Sequence, residues 1–218
     1  MILVVGGTKG GSGKTLLASN LTVLRASGGH DTLLIDADEQ SSAMDFTRQR
    51  QHRLNGEPGY TAMQTREADV AVQVRHMMAK YADIIIDVGG RDTASQRAAL
   101  AVANVLLVPF APTSVDLWTV ETVVQLLQEA RVFNPPLRAY TVLNKAFPRG
   151  SDNAEAAALL RESPEVWTYL DTPLGLRKAF SNAFGGGAAV TEYQPKDAKA
   201  MAEMMALYRH VFYTNVVS

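Results

Sequence analysis

Apolar runs alternate along this chain with stretches in which apolar residues recur every three or four positions. The clearest runs cover residues 2–5, 32–35, 83–88, 105–110 and 140–143, with weaker ones at 60–64 and 166–170. The clear runs are nearly continuous in Val, Ile and Leu, the pattern of parallel strands covered on both faces. Helical spacing covers residues 14–27, 70–81, 93–102, 115–133, 153–161, 174–184 and 195–212. Parallel strands need crossover connections, so this alternation predicts an α/β fold: a doubly wound, mostly parallel sheet with helices on both faces. No internal repeat or dividing linker interrupts the pattern, and Gly185-Gly186-Gly187 reads as a loop after a helix. Residues 1–218 are therefore expected to form one domain.

Composition narrows the function classes. Hydrophobic residues make up 47% and charged residues 20% of the 218 positions, enough chain to bury a core on both sides of a sheet. No apolar run approaches the ~18 residues that would suggest a membrane span. The first strand begins at once, without a basic segment and a small-residue cleavage site, so no signal peptide is expected. Cysteine is absent, which excludes disulfides and cysteine-ligated metal or iron–sulfur sites and fits a reducing cytoplasm. With a formal net charge of −1, any nucleic-acid contact must come from a local basic patch.

The chemistry concentrates after the first strand, in Gly6-Gly7-Thr8-Lys9-Gly10-Gly11-Ser12-Gly13-Lys14-Thr15. A glycine-rich turn between a strand and a helix lets backbone amides face phosphate oxygens, and the helix N-terminus adds a favourable dipole. Lys14 is then placed to reach β- and γ-phosphates, and the Thr15 hydroxyl to ligate Mg²⁺. The common phosphate loop has glycine five positions before Gly13; here Thr8 stands there, and Lys9 precedes two glycines. Asp36 and Asp87 each follow a Val/Ile/Leu strand and are expected to hold Mg²⁺ through its waters. Gly90, three positions after Asp87, is expected to offer its amide to the γ-phosphate.

Lys9 to Thr15 resembles the deviant phosphate loop of the ParA/MinD family of ATPases. Leu33-Leu34-Ile35-Asp36-Ala37-Asp38-Glu39-Gln40 resembles that family's second motif, and Ile84-Ile85-Ile86-Asp87-Val88-Gly89-Gly90 its third strand motif and switch loop. Val108-Pro109-Phe110-Ala111-Pro112-Thr113-Ser114-Val115-Asp116 and Val190-Thr191-Glu192-Tyr193-Gln194-Pro195-Lys196 are similar to its later segments. The resemblance implies that ATP, ADP and Mg²⁺ are the ligands, that Gly10, Gly11, Ser12 and Gly13 join Lys14 around the phosphates, and that Asp38 orients the attacking water. It implies that Lys9 crosses a dimer interface to the partner's ATP, and that Asn144 and Lys145 lie at the adenine edge. Glu39 stands where the family usually has proline, from which an altered loop stiffness is expected. Arg91-Asp92 reads either as a solvated turn with a helix cap or as a nucleotide-sensing or dimer-contacting pair.

Three classes of output compete. The first is a ParA-like ATPase that dimerises with ATP, binds DNA non-specifically and positions a plasmid, chromosome region or protein cargo. The second is a MinD-like membrane-associated switch, and the third a small ATP-dependent biosynthetic synthetase. The last helical stretch carries Met201, Met204, Met205, Leu207, Tyr208 and Phe212 with few basic residues, which reads as a docked core helix and not as a membrane anchor. The DNA reading rests on Arg177, Lys178, Lys196 and Lys199; the resemblance has an arginine at the position of Ala198, next to Lys199. A chain beginning at its first strand carries no helix-turn-helix ahead of it, so operator-specific repression is not expected. The expectation is thus a nucleoid-associated cytoplasmic ATPase with a ParB-like or cargo-adaptor activating partner.

Overall fold

The computed structural model describes residues 1–90, 93–113 and 118–213. Seven strands form one sheet: β1 Ile2–Val5, β2 Thr32–Asp36, β3 Thr61–Gln64, β4 Asp83–Asp87, β5 Val105–Phe110, β6 Arg138–Leu143 and β7 Thr168–Leu170. Their order is β3-β2-β4-β1-β5-β6-β7, and every pairing is parallel. Eight helices lie among the described residues: α1 Lys14–Ser27, α2 Ser42–Leu54, α3 Asp69–Met77, α4 Ala94–Leu100, α5 Val120–Phe133, α6 Asp152–Leu160, α7 Lys178–Gly185 and α8 Ala198–Tyr213. No helix among the described residues is long and apolar enough to cross a membrane.

Strand periodicity divides the core in two. Ile2, Val4, Leu33, Ile35, Ile84, Ile86, Leu106 and Val108 face α3, α4, α5 and α6 through Val74, Leu100, Leu127 and Leu160. Leu3, Val5, Leu34, Ile85, Val105 and Leu107 face the other way, onto Leu17, Phe46, Phe180, Met204 and Leu207 of α1, α2, α7 and α8. Successive strand residues point to opposite faces, so a strand buried on both must be apolar at every position. The last helix is a core helix as expected, with Met204, Leu207, Tyr208 and Phe212 buried.

Helix α2 was not legible from apolar spacing. Its buried positions, Ala43, Phe46, Thr47 and Arg50, have the helical interval, but two of the four are polar. Thr47 Oγ1 bonds the Ala43 carbonyl at 2.9 Å and meets the Tyr60 hydroxyl at 3.0 Å, while Arg50 is held by carbonyls and a carboxylate. Other boundaries shift for local reasons. The stretch from Leu174 to Leu176 is extended and not helical, because the Leu174 and Leu176 amides donate to Leu143 and Ala146 beside β6. Helix α8 starts after Asp197, whose carboxylate accepts the Lys199 and Ala200 amides. The start of the helix expected over 115–133 falls partly outside the described residues, as do Arg91-Asp92 and Ser114-Val115-Asp116.

Candidate nucleotide-binding site

The strand order brings the site together at the sheet's centre. From β1 the chain crosses to β2 and β3 on one side; after β4 it crosses to β5, β6 and β7 on the other. Loops therefore diverge beyond the carboxyl ends of β1 and β4, where open α/β sheets bind ligands. Register aligns Val5, Asp36 and Asp87 across β1, β4 and β2. A cleft of about 990 Å³ opens there, lined by Gly10, Gly11, Gly13, Lys14, Thr15, Asp38, Gly89, Gly90, Arg66 and Phe184 among others.

The loop from Lys9 to Thr15 has the backbone its glycines allow. Gly11 and Gly13 have φ of +81° and +96°, which side-chain-bearing residues rarely adopt. Gly13 caps α1 without a side-chain cap, and no acid lies in the first turn, so the positive end of the helix is left for an anion. The carbonyl side of the loop is held by three side chains. Lys14 Nζ donates to the Lys9 carbonyl at 2.6 Å, Lys145 Nζ to Gly11 at 2.5 Å and Asn144 Nδ2 to Ser12 at 2.7 Å. Gly13 is also where Asn144 approaches most closely: a Cβ there would lie 2.1 Å from Asn144 Nδ2. Asn144 and Lys145, expected at the adenine edge, thus brace the phosphate loop in this structure.

The acids surround the head of α1. Asp36 accepts the Asp38 amide at 3.1 Å and the Met44 amide at 2.9 Å, so it anchors both the following loop and the start of α2. Burial raises its pKa; those amides oppose the shift, and the charge of Asp38 adds to it. Asp87 is wholly buried, and neither carboxylate oxygen has a hydrogen-bond partner of ordinary geometry. Burial pushes it up to about 8, against the nearby Thr15 hydroxyl and Lys14 ammonium. An orphaned buried carboxylate beside a threonine hydroxyl and a second acid fits a divalent cation that would take up its charge. No cluster of three or more His, Asp or Glu among the described residues could hold a metal, so such an ion would complete its shell with water and phosphate oxygens.

Two glycines fit the remaining loops together. A Cβ on Gly89 would lie 3.2 Å from Asp38 Oδ1, and one on Gly90 would sit 2.4 Å from the Gly10 nitrogen and 2.7 Å from the Lys9 carbonyl carbon. Gly90 is therefore glycine because backbone meets backbone there. Lys9 itself is half-buried at the loop's lip. Sequence reading missed Gln96, whose Oε1 accepts the Gly7 amide at 3.1 Å from a fully buried position. Its signal was the helix-start pattern Thr93-Ala94-Ser95-Gln96, with Thr93 Oγ1 accepting the Gln96 amide. It also missed Arg66 and Phe184, which no motif marks.

The CobQ/CobB/MinD/ParA nucleotide-binding domain family matches residues 3–208 of this sequence. The chain belongs to that family. A further relative is the maintenance of carboxysome distribution protein A of Halothiobacillus neapolitanus, 23% identical over 211 residues, covering 96% of this chain and 95% of that protein. The fold is shared with a Cyanothece McdA variant bound to ATP, at TM-score 0.75 and 15% identity over 94% of this chain and 95% of that one. MinD of Pyrococcus horikoshii with Mg-ADP also matches, at TM-score 0.72 and 16% identity over 98% and 96%. Within this CobQ/CobB/MinD/ParA member, the DNA-contact candidates lie apart from the cleft. Lys178, Lys196 and Lys199 are exposed, the first opening α7 and the last near the start of α8. Arg177 is instead engaged: its guanidinium donates twice to Glu203 Oε1 and once to Oε2 at 2.5–3.1 Å, and Glu203 also accepts the Gly175 amide.

Proposed function

We propose that this chain is a ParA-like positioning ATPase: ATP joins two copies face to face, the dimer holds DNA non-specifically, and hydrolysis releases it. One observation carries the reading. Gly90, expected to sense the γ-phosphate, packs directly on the backbone of Lys9 and Gly10. A change at Gly90 when the γ-phosphate leaves is therefore felt at Lys9, the cation expected to reach the partner's nucleotide. The carboxysome-distribution relative supports a protein cargo, and a Borrelia burgdorferi plasmid partition protein of the same fold (TM-score 0.65) a nucleic-acid one.

Each residue has a task in this scheme. Lys14 and the amides at the head of α1 neutralise phosphate charge; Lys14 must first leave the Lys9 carbonyl. Thr15, with Asp36 and Asp87 through water, would hold the Mg²⁺, which when bound offsets charge on the β- and γ-phosphates. Asp38, braced near Gly89, would orient the attacking water. Exposed Lys178, Lys196 and Lys199 would contact DNA phosphates, whereas Arg177 would have to trade Glu203 for a phosphate. Doubling the lysines in a dimer gives the near-neutral chain a usable patch.

Light scattering and hydrolysis test the scheme together. With a non-hydrolysable ATP analogue the protein is expected near twice its 23.6 kDa mass, and with ADP near the monomer. Lys9→Ala should remain monomeric with either ligand while still binding nucleotide, and Lys14→Ala should lose nucleotide binding. A Lys9→Ala variant that dimerises with the analogue would refute the face-to-face arrangement. Binding of random-sequence DNA should appear only with ATP and weaken steeply with salt. Sedimentation with anionic vesicles and indifference to DNA would replace this reading by the membrane class.

A further inference from the structure

The end of edge strand β3 carries chemistry that no motif accounts for. Gln64, paired in register with Asp36, donates through Nε2 to Ser41 Oγ. Two residues on, Arg66 Nη2 donates to the Glu39 carbonyl at 3.2 Å and approaches Ser41 Oγ at 3.4 Å. The Thr65 amide closes the same corner by donating to the Asp36 carbonyl at 3.1 Å. All these acceptors belong to the turn that presents Asp38 to the cleft. No proline fixes that turn, and Ser41 has φ of +56°, a conformation a serine holds only when its surroundings impose it. The same β3 segment reaches the far side of the cleft, where the Glu67 amide donates to Ser95 Oγ at 2.7 Å. Arg66 is exposed and lines the cleft, and among the described residues its guanidinium donates to a carbonyl and a hydroxyl.

We propose that Gln64 and Arg66 form a clamp that sets the direction of the Asp38 carboxylate, with Arg66 a positioning residue for hydrolysis. Gripping both the Glu39 carbonyl and the Ser41 hydroxyl fixes the turn on either side of Gln40. The planar guanidinium suits this, because its donors are held in a fixed fork that a lysine lacks. Asp38 feels the clamp through the turn: its carbonyl accepts the Ser41 amide and its Oδ1 the Gln40 amide, both at 3.2 Å. The inference rests on the ATPase reading above, and its test separates the two.

The experiment uses the full chain with Arg66→Ala, Arg66→Lys and the double variant Arg66→Ala/Asp38→Ala. Turnover in Arg66→Ala should fall roughly tenfold to a hundredfold, the scale of an ångström-level misplacement, with ATP affinity unchanged. Arg66→Lys should recover part of it. On the Asp38→Ala background, Arg66→Ala should cost nothing further, since its effect passes through Asp38. Amide hydrogen exchange of residues 38–44, followed without nucleotide, should quicken in Arg66→Ala and leave the phosphate loop unchanged. Unchanged exchange in that segment, or an equal loss of turnover on the Asp38→Ala background, would overturn the clamp. A wild-type protein without ATPase activity would sink the functional reading alone, because the exchange measurement still decides whether the clamp exists.

Discussion

Asp87 and Glu192 are both acids withdrawn from water, and the fold treats them in opposite ways. Asp87 lies at the end of a central strand, fully buried, with neither oxygen hydrogen-bonded in ordinary geometry, and burial pushes its pKa up to about 8 against the nearby Thr15 hydroxyl and Lys14. Glu192, before α8, accepts two bonds from Arg50 at 2.6 and 2.8 Å, one from Arg53 at 2.8 Å and one from the Ala189 amide at 3.1 Å. Burial pushes Glu192 up as well, but Arg50, the amide and Arg53 outweigh it, and the net shift is downward. A buried carboxylate left short of partners is costly, and a cation bound at the head of the phosphate loop would supply what Asp87 lacks. A carboxylate with every partner supplied marks a joint of the fold. Here it fastens α2 to the segment leading into α8.

The largest break in this contrast should come from the satisfied acid. Arg50 is nearly as buried as the core, so Arg50→Ala takes two of the four bonds from a partly buried carboxylate and leaves the Pro58 carbonyl without that donor. The expected loss is about 3 kcal/mol, the low end for breaking a buried pair because Glu192 keeps some exposure and Arg53. In a chain of this size that lowers Tm by about 6–12 °C, readable by calorimetry. Asp87→Asn should behave in the reverse manner. Its nucleotide-free Tm should stay within a few degrees of wild type, since removing a costly buried charge offsets the lost attraction of Thr15 and Lys14. The variant should instead lose the Mg²⁺-dependent stabilisation by ATP, about 2.7 kcal/mol at a hundredfold excess over Kd. If Asp87→Asn unfolds without ligand, or is still stabilised by Mg²⁺-ATP, Asp87 is a structural acid like Glu192.

The same contrast explains what was legible in the sequence. Asp87 could be found because a ligand site obeys a local grammar: an apolar strand, an acid at its end, glycines where backbones meet. Asp36, Gly90 and the loop from Lys9 to Thr15 follow it; Gly90 lines the cleft with Gly10, Gly11, Gly13, Lys14 and Thr15, while Asp36 and Asp87 lie buried at the strand ends. Arg50 and Glu192 are 142 positions apart, and their meeting depends on how α2 and the last loop pack. Gly187 shows the closeness of that packing, since a Cβ there would fall 2.3 Å from the Arg50 nitrogen. Helix α2 was hidden for the same reason: its buried stripe includes an arginine whose partners no local pattern reveals. Arg177 shows the same limit from the other side: the sequence offers a basic surface residue and does not reveal its partner, Glu203, 26 positions away on α8.

The smallest expected effect concerns pH and isolates Glu192. Its carboxylate sits below its ordinary value of 4.5 in the folded protein, while the unfolded chain keeps that ordinary value. Between the two values the unfolded state binds a proton that the native state does not, so stability rises with pH across that window. The contribution is therefore fully present above about pH 4.5 and is lost as pH falls through the lower, folded-state value. Glu192→Gln removes the titrating group but keeps its shape and one acceptor oxygen. The variant should be less stable than wild type at pH 7, and the gap in urea midpoint should narrow as pH falls below about 4.5. It narrows because a protonated Glu192 offers Arg50 little more than a glutamine does. Asp36 and Asp87 titrate with the opposite sign in both proteins, so the difference between the two curves removes them. A gap that stays constant down to pH 3.5 would mean that the Glu192 charge adds nothing beyond its shape, and the two buried acids would then differ only in their neighbours.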